Sequence, residues 1–521
     1  MDFTTWLPLI FLTVVFGLMF SGFPVMFVLA GGSVLFAGVS AAFGVFDLRF
    51  LSALPSRLYG LFSDDTLISI PLFVLMGTVL DRTRIAGDLL DTMGRALRRF
   101  PGGLGVSVCI VGALLGAATG VIGATVATMA LISLPAMLRH GYPPALACGL
   151  ICAAGTLTQI IPPATVLILL GDQIGNAYAD AQRAVGNWAA TPVSVVDLYA
   201  GAMIPGLLLT FAYAIYVVGY AVLVPQAFRP HPETVEEEGV TWGELGRALV
   251  APLALLVAIL GSIIFGVATA TEGAGVGVAG AILLAGLRSG AHHRRLVMAG
   301  TVSLLGAIVA VNVWDIRLAT ASTSNENLLG SVLIGACLLL TAVAVARGVF
   351  SLSREGQLRP AVLQAFEITA MVYGILVGAS FFSLVFYGLG GDKLVVGLFQ
   401  SLPGGSLGAM LFVQLVIFIL GFPLENTEII SIAVPILAPK LLQTIDPIWF
   451  GVVTAVNLQT SYLSPPVGFA LFYLRSAIPS SIPTSVIWRG AMPFLLVQLI
   501  VLVIVLAEPR LSTWLPSLLP H

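Results

Sequence analysis

The sequence predicts an all-α polytopic membrane protein made of two inverted repeats, each holding a re-entrant helical hairpin and a proline-broken helix. Three observations carry this. The 521-residue chain is 58% hydrophobic and only 9% charged, with a mean hydropathy of +1.04, whereas a water-soluble domain carries about 25% charged residues. Apolar stretches of roughly 20 residues, the length that crosses a bilayer, recur along the chain. The stretch GTLTQIIPPATV (155–166) has a counterpart in NLQTSYLSPPVG (457–468), and the two double prolines lie 303 residues apart. The net charge of -2 is uninformative; no feature suggests nucleic acid, and the lipid bilayer is the expected surrounding.

The elements follow in order. Segment 5–22 lacks a basic leader and an A-x-A cleavage site, so it is expected to remain as a helix. Segments 25–45 and 65–80 are spans, and DRTRIAGDLLDTMGRALRRF (81–100) is amphipathic and basic. In 103–138 the Gly-rich break GAATGVIGATVAT divides two apolar arms, which reads as hairpin 1. Residues 144–173 form the first broken helix, with 174–196 as an external loop. A span at 198–224 precedes a polar linker (229–247) with Glu236, Glu237 and Glu238, read as a solvated loop. Five spans come next, at 248–266, 270–288, 296–313, 329–347 and 363–387. PLENTE breaks 394–442 into hairpin 2, 447–474 is the second broken helix, and 484–507 the last span. The first repeat is 1–240 and the second 241–521, with 289–357 an inserted helical pair.

Charge tests the arrangement. If each hairpin returns to its own side and each broken helix crosses once, 16 of the 23 basic residues share the side of loop 81–100. That side is then cytoplasmic by the positive-inside rule, and both termini are external. The hairpins open to opposite sides, as inverted repeats require. An offset of 303 also places Pro144 on Pro447, Thr158 on Ser461 and Gly123-Ala124-Thr125 on Asn426-Thr427-Glu428.

In hydrocarbon an unpaired backbone N–H or C=O costs several kcal/mol, so a broken helix survives only where protein, water or ions satisfy it. Pro162 and Pro163 lack N–H groups and free carbonyls near Thr158 and Gln159; Pro465 and Pro466 do the same near Ser461 and Tyr462. Such carbonyls with nearby hydroxyls can replace the water shell of Na+, and the helix N-termini at the same breaks suit a carboxylate. A simple kink is the plainer reading of one Pro-Pro pair, and close helix packing the plainer reading of the glycines. Glu425 and Glu428 flank a hairpin tip, a functional location by default. Glu272 is expected to cap a helix and Glu367 to pair with Arg359. Cys109, Cys148, Cys152 and Cys337 lie in apolar runs and no histidine joins them, so no transition-metal site is expected.

The stretch GATVATMALISLPAMLRHGYPPALACGLICAAGTLTQIIPPATVLILLGDQ (123–173) resembles the large membrane subunit of TRAP transporters, the tripartite ATP-independent periplasmic systems. So do DLYAGAMIPGLLL (197–209), TATEGAGVGVAGAILLAGL (269–287) and DPIWFGVVTAVNLQTSYLSPPVGFALF (446–472), in the family's order, and the wording looks most like the mannitol/chloroaromatic-type branch. The resemblance implies a permease rather than an enzyme, importing an organic acid with Na+ as coupling ion and no cofactor. It implies the bacterial inner membrane and two partners, a small four-helix membrane subunit and a periplasmic substrate-binding protein. It implies an elevator mechanism, a transport domain moving past a scaffold. Carried onto this chain, cation site 1 would use Gly120, Gly123, Thr125, Gly155, Thr156 and Thr158. Site 2 would use Glu425, Asn426, Thr427, Asn457, Thr460 and Ser461, with substrate between the tips. Two departures stand out: the first tip reads Thr119-Gly120-Val121 where the family often has Ser-Gly-Ser, and Glu425 replaces a common Asp.

Two other functions compete. A stand-alone sodium- or proton-coupled carboxylate carrier or antiporter would share the hairpin architecture and need no binding protein. An intramembrane protease would need paired aspartates at membrane depth or a Ser/His pair; GLGGD (388–392) supplies one aspartate, at a helix end.

Overall fold

The structure, a computed structural model, describes residues 6–82, 85–97, 100–190, 192–228, 241–288, 291–313 and 325–519. Among them there is no strand. The first part of the chain contributes α1 (Leu7–Met19), α2 (Val25–Ala42), α3 (Leu54–Phe62), α4 (Asp65–Arg82) and α5 (Ile85–Ala96). Hairpin 1 is α6 (Gly103–Thr119) and α7 (Ile122–Arg139); the first broken helix is α8 (Pro144–Thr156) and α9 (Thr165–Ala184). Outer helices follow: α10 (Val195–Leu223), α11 (Trp242–Ile264), α12 (Ala270–Arg288), α13 (Ala291–Val313), α14 (Asn325–Arg354) and α15 (Leu358–Gly388). A short α16 (Gly391–Ser401) precedes hairpin 2, made of α17 (Gly405–Leu420) and α18 (Asn426–Leu441). The second broken helix is α19 (Pro447–Leu463) and α20 (Phe469–Ala477), and α21 (Thr484–Ala507) and α22 (Arg510–Thr513) end the fold.

The broken helices are the centre. Every residue from Leu146 to Gln159 and from Trp449 to Leu463 is buried. A helix apolar on all sides belongs inside, and here two such helices carry the breaks. The outer helices instead present large apolar side chains outward: Phe43 on the end of α2 is 79% exposed and Leu223 on α10 82%. That pattern is what a lipid solvent demands.

The two repeats interlock. The second arm of hairpin 2, α18, packs along α9 of the first repeat; the second arm of hairpin 1, α7, packs along α20 of the second. Glycines allow the close approaches. A Cβ on Gly149 of α8 would overlap the carbonyl of Gly490 on α21, and one on Gly490 would overlap the carbonyl of Ala145. Between membrane helices, where no hydrophobic force drives association, such backbone-to-backbone contact is the main source of packing energy.

The expected spans are all helical, with three corrections. Residues 174–184, expected in an external loop, continue α9; Ile174, Ala177 and Ala181 recur at helical spacing and are buried, so their polar neighbours lie on the helix's outer face. Hairpin 2 is shorter than 394–442, because the left-handed Gly404 (φ +90°) and Pro403 end α16 before α17 begins. Glu367 does not pair with Arg359: eight residues of helix put them about 12 Å apart, and no ion pair joins them among the described residues. Glu272 does cap α12, accepting from the Thr269 N–H at 2.8 Å while its own N–H donates to Thr269 Oγ1. Within 289–357, α13 and α14 pack on each other and on α12, where Ser303 Oγ donates to the Cys337 carbonyl at 2.7 Å. Residues 289–290 and 314–324, and Glu236 to Glu238, lie outside the described residues.

The Gly149–Gly490 crossing makes a direct prediction. Gly490→Ala should destabilise the detergent-solubilised protein by about 1–3 kcal/mol, the usual cost of overpacking. Gly219→Ala, on α10 with open space around it, should be neutral. Thermal unfolding of the two variants side by side checks the difference.

Candidate functional site

Each hairpin tip sits across one helix break. At hairpin 1 the fit is made by small residues. A Cβ on Gly112 would meet Ala154, and one on Gly116 would lie 2.8 Å from Thr158 Cα, so α6 presses against the backbone just before the break. Beyond the break, Thr165 Oγ1 donates to the Gly120 carbonyl at 2.9 Å. Gly120 adopts φ +61°, a left-handed turn that suits glycine and lets α6 reverse into α7 within two residues. On the other arm, Val126 packs so closely on Gly155 that a side chain there would overlap it.

At hairpin 2 the same task is done by polar side chains. Asn457 Nδ2 donates to the Gln414 carbonyl (2.6 Å) and to Gln414 Oε1 (2.9 Å), and Gln414 Nε2 donates to Thr454 Oγ1 (2.9 Å), clamping α17 to α19. The Asn426 N–H donates to Tyr462 Oη at 2.9 Å, and Tyr473 Oη donates to Glu425 Oε1 at 2.8 Å. Glu425 and Glu428 form a reciprocal capping box at the start of α18, Glu428 Oε2 accepting from the Glu425 N–H at 3.1 Å. The helix N-terminus and the tyrosine hydroxyl thus both offer donors to the Glu425 carboxylate.

Both breaks repeat one hydroxyl pattern. Thr158 Oγ1 donates to the Gly155 carbonyl (3.0 Å) and Ser461 Oγ to the Leu458 carbonyl (2.8 Å), each three residues back, at positions related by the 303 offset. Thr460 Oγ1 donates to the Asn457 carbonyl (2.6 Å), and Thr156 Oγ1 donates to the Ala153 carbonyl and accepts from Gln498 Nε2. Thr125 Oγ1 donates to the Val121 carbonyl at the head of α7. All these hydroxyls keep acceptor capacity, and the buried oxygen Asn426 Oδ1 has no hydrogen-bond partner.

Of the residues expected at site 1, Gly155, Thr156 and Thr158 lie on the buried turn before the first break and Gly120 is bonded to Thr165 just beyond it; of those at site 2, Asn457, Thr460 and Ser461 lie on the turn before the second break, where Asn426 is bonded to Tyr462. Asn457 carries a packing duty as well, its amide nitrogen being spent on Gln414. Thr427 is half-buried, with its carbonyl accepting from Ser431 Oγ. Gly123 is drawn away from the other site 1 residues, toward the ring of Tyr473. Tyr462, Tyr473 and Gln414 escape sequence reasoning, because a tyrosine in an apolar helix reads as packing and its partners lie 36 to 48 residues away. Gln159, three residues before the first proline of the pair, was not among the expected site residues, yet it is buried with neither amide atom partnered. Asp392, from GLGGD, is exposed at the start of α16 and so is not a buried aspartate.

A second polar space adjoins the site. A cavity of about 440 Å³ runs between α3, α4 and α15 on one side and α9 and α18 on the other, lined by Arg57, Asp64, Asp172, Asp180, Tyr387 and Ser431 among others. Beside it α15 packs on α18 and α4 on α9, and Tyr387 Oη crosses from α15 to the Pro435 carbonyl of α18 at 2.6 Å.

The packing of hairpin 2 on its break is testable. A Cβ on Gly421 would overlap Ser461 Oγ, so Gly421→Ala should lift the tip and cut transport about ten-fold or more, a loss of some 1.4 kcal/mol. Initial uptake rates of this variant and the wild type, measured side by side in the assembled system, check it.

Residues 12–511 match the family described as Tripartite ATP-independent periplasmic transporter, DctM component. The C4-dicarboxylate TRAP transporter large permease protein DctM of Pseudomonas aeruginosa is 28% identical over 454 residues, covering 87% of this chain and 86% of that protein. The ectoine/5-hydroxyectoine TRAP transporter large permease protein UehC of Ruegeria pomeroyi is 24% identical, covering 98% of each. Among solved structures, the YdaH transporter of Alcanivorax borkumensis shares the fold with a TM-score of 0.52 at 16% identity, covering 88% of each chain.

Proposed function

The chain belongs to the DctM family of tripartite ATP-independent periplasmic transporters, and from that premise we propose that it is a sodium-coupled importer of an organic acid. Family membership already makes it a multi-pass transporter permease, one working with a small membrane subunit and a periplasmic binding protein. The sodium coupling, the carboxylate substrate and the elevator motion are our reading. Relatives named for C4-dicarboxylates and for ectoine bracket the substrate class as small carboxylate-bearing molecules.

The observation that carries the cation assignment is Asn426 Oδ1, buried and without a donor beside the Glu425 carboxylate. Two acceptors with no shared donor at one tip suit a hard cation. The surrounding groups, hydroxyls of Thr460 and Ser461 and carbonyls freed by Pro465-Pro466, are all oxygen, the donor type that such ions take. Around the first break the corresponding oxygens are those of Thr156, Thr158 and Gly120, with Gln159 Oε1 added. The Tyr473 hydroxyl and the start of α18 hold the Glu425 carboxylate in place beside such a cation. The N-termini of α7 and α9 supply N–H groups for a carboxylate.

Alternating access follows from the interlock. Since α18 packs on α9 and α7 on α20, the two hairpins and broken helices move as one body. The polar cavity bounded by α4 and α15 is the seam along which it slides. The basic-residue bias supports an inner-membrane orientation with loop 81–100 cytoplasmic and both termini periplasmic.

The test is Glu425→Gln in the reconstituted three-component system, which keeps size and hydrogen bonding but removes the charge. The half-saturating sodium concentration should rise about ten-fold or more, with transport partly recovered at high sodium. A loss of pH dependence with unchanged sodium activation would overturn the assignment.

A further inference from the structure

Tyr473 touches both hairpin tips. Its ring lies against the first turn of α7: a Cβ built on Gly123 would sit 3.2–3.3 Å from three ring atoms. Its hydroxyl donates to Glu425 Oε1 of the other hairpin at 2.8 Å. The ring belongs to an aromatic row, Tyr462–Phe469–Tyr473, with centroids 5.1 and 6.4 Å apart. Both hydroxyls of that row hold the same tip, at Glu425 and at the Asn426 N–H. Hairpin 1 has no side chain at Gly123, so the ring rests directly on its backbone.

We propose that Tyr473 is the positioning residue that couples the two tips, so that what hairpin 1 holds sets the cation affinity at Glu425. The ring is rigid. A shift of a few tenths of an ångström imposed on its face by the start of α7 is carried to the hydroxyl. The hydroxyl is one of the groups that orient the Glu425 carboxylate. An organic acid bound at the α7 N-terminus therefore acts on the cation site through one side chain, and by linkage the cation acts equally on the acid. The inference rests on the sodium reading above and adds the route by which acid and sodium are coupled. It supplies the identified contact that a coupling claim needs.

A double-mutant cycle tests it. Gly123→Ala adds one methyl where the ring must yield slightly, far in sequence from Glu425. Tyr473→Phe keeps the ring and removes the hydroxyl. Sodium activation of organic-acid uptake is measured for the wild type, both single variants and the double variant, in the reconstituted three-component system. Gly123→Ala should shift the half-saturating sodium concentration about five-fold or more, in the same direction as Tyr473→Phe. In the Tyr473→Phe background the added methyl should change it less than about two-fold, since the route is already cut. Equal, additive shifts in the two backgrounds would overturn the coupling role while leaving the sodium reading in place. Absence of sodium activation in the wild type would overturn both. A Gly123→Ala variant that lowers only the maximal rate, with unchanged sodium activation, would show a purely structural contact and also refute the proposal.

Discussion

Everything in this fold depends on one constraint: backbone N–H and C=O groups inside hydrocarbon must find partners. Two helices at the centre of the protein are broken by Pro-Pro pairs whose missing N–H groups deprive carbonyls one turn earlier of their helical donors; the Ser461 carbonyl accepts from the Ser464 N–H instead. The hairpins exist to answer that. Each tip lies across a break; the first break is buried at Pro162, Pro163 and Ala164, whereas at the second the turn before it is buried and Pro466 and Val467 are exposed. The outer helices then shield the core, which explains why their apolar side chains face outward while α8 and α19 are buried throughout.

The two repeats meet this constraint with different chemistry. Hairpin 1 uses absence: Gly112, Gly116, Gly120 and Gly155 bring backbones into contact, and few side-chain hydrogen bonds are needed. Hairpin 2 uses presence: Gln414, Asn457, Tyr462 and Tyr473 tie the tip through directed bonds. Close packing of small residues leaves a surface that can part and re-form; a hydrogen-bonded tip is held in one geometry. The asymmetry places the charged group, Glu425, on the tip that is fixed, where its orientation is defined by two donors. It also lets Tyr473 touch both tips, through a ring face and a hydroxyl.

Much of this was legible in the sequence, and the reasons are physical. Long apolar runs fix the spans, because only helices of that length cross a bilayer. The Pro-Pro pairs fix the breaks, because no side chain can replace a missing N–H. The Thr269–Glu272 cap was legible from its spacing. What could not be read was anything set by contacts between distant segments. The tyrosines that hold hairpin 2 look like ordinary apolar residues in the sequence. Asn457 reads as a ligand until Gln414 is seen beside it. The extension of α9 to Ala184 was missed because Asn176 and Asp180 read as loop residues, although Ile174, Ala177 and Ala181 mark a helix face. The Glu367–Arg359 pairing failed on helix geometry alone.

The central claim is that tips and breaks form one satisfied unit whose remaining acceptors take sodium. Amide hydrogen exchange of the purified protein in lipid nanodiscs, compared in sodium and in an equal concentration of choline, addresses it directly. The account predicts that sodium slows exchange together at residues 119–125, 421–428 and the segments flanking both Pro-Pro pairs, with α2, α11 and α14 unchanged. Protection that is absent, or that spreads evenly over the outer helices instead, would contradict it.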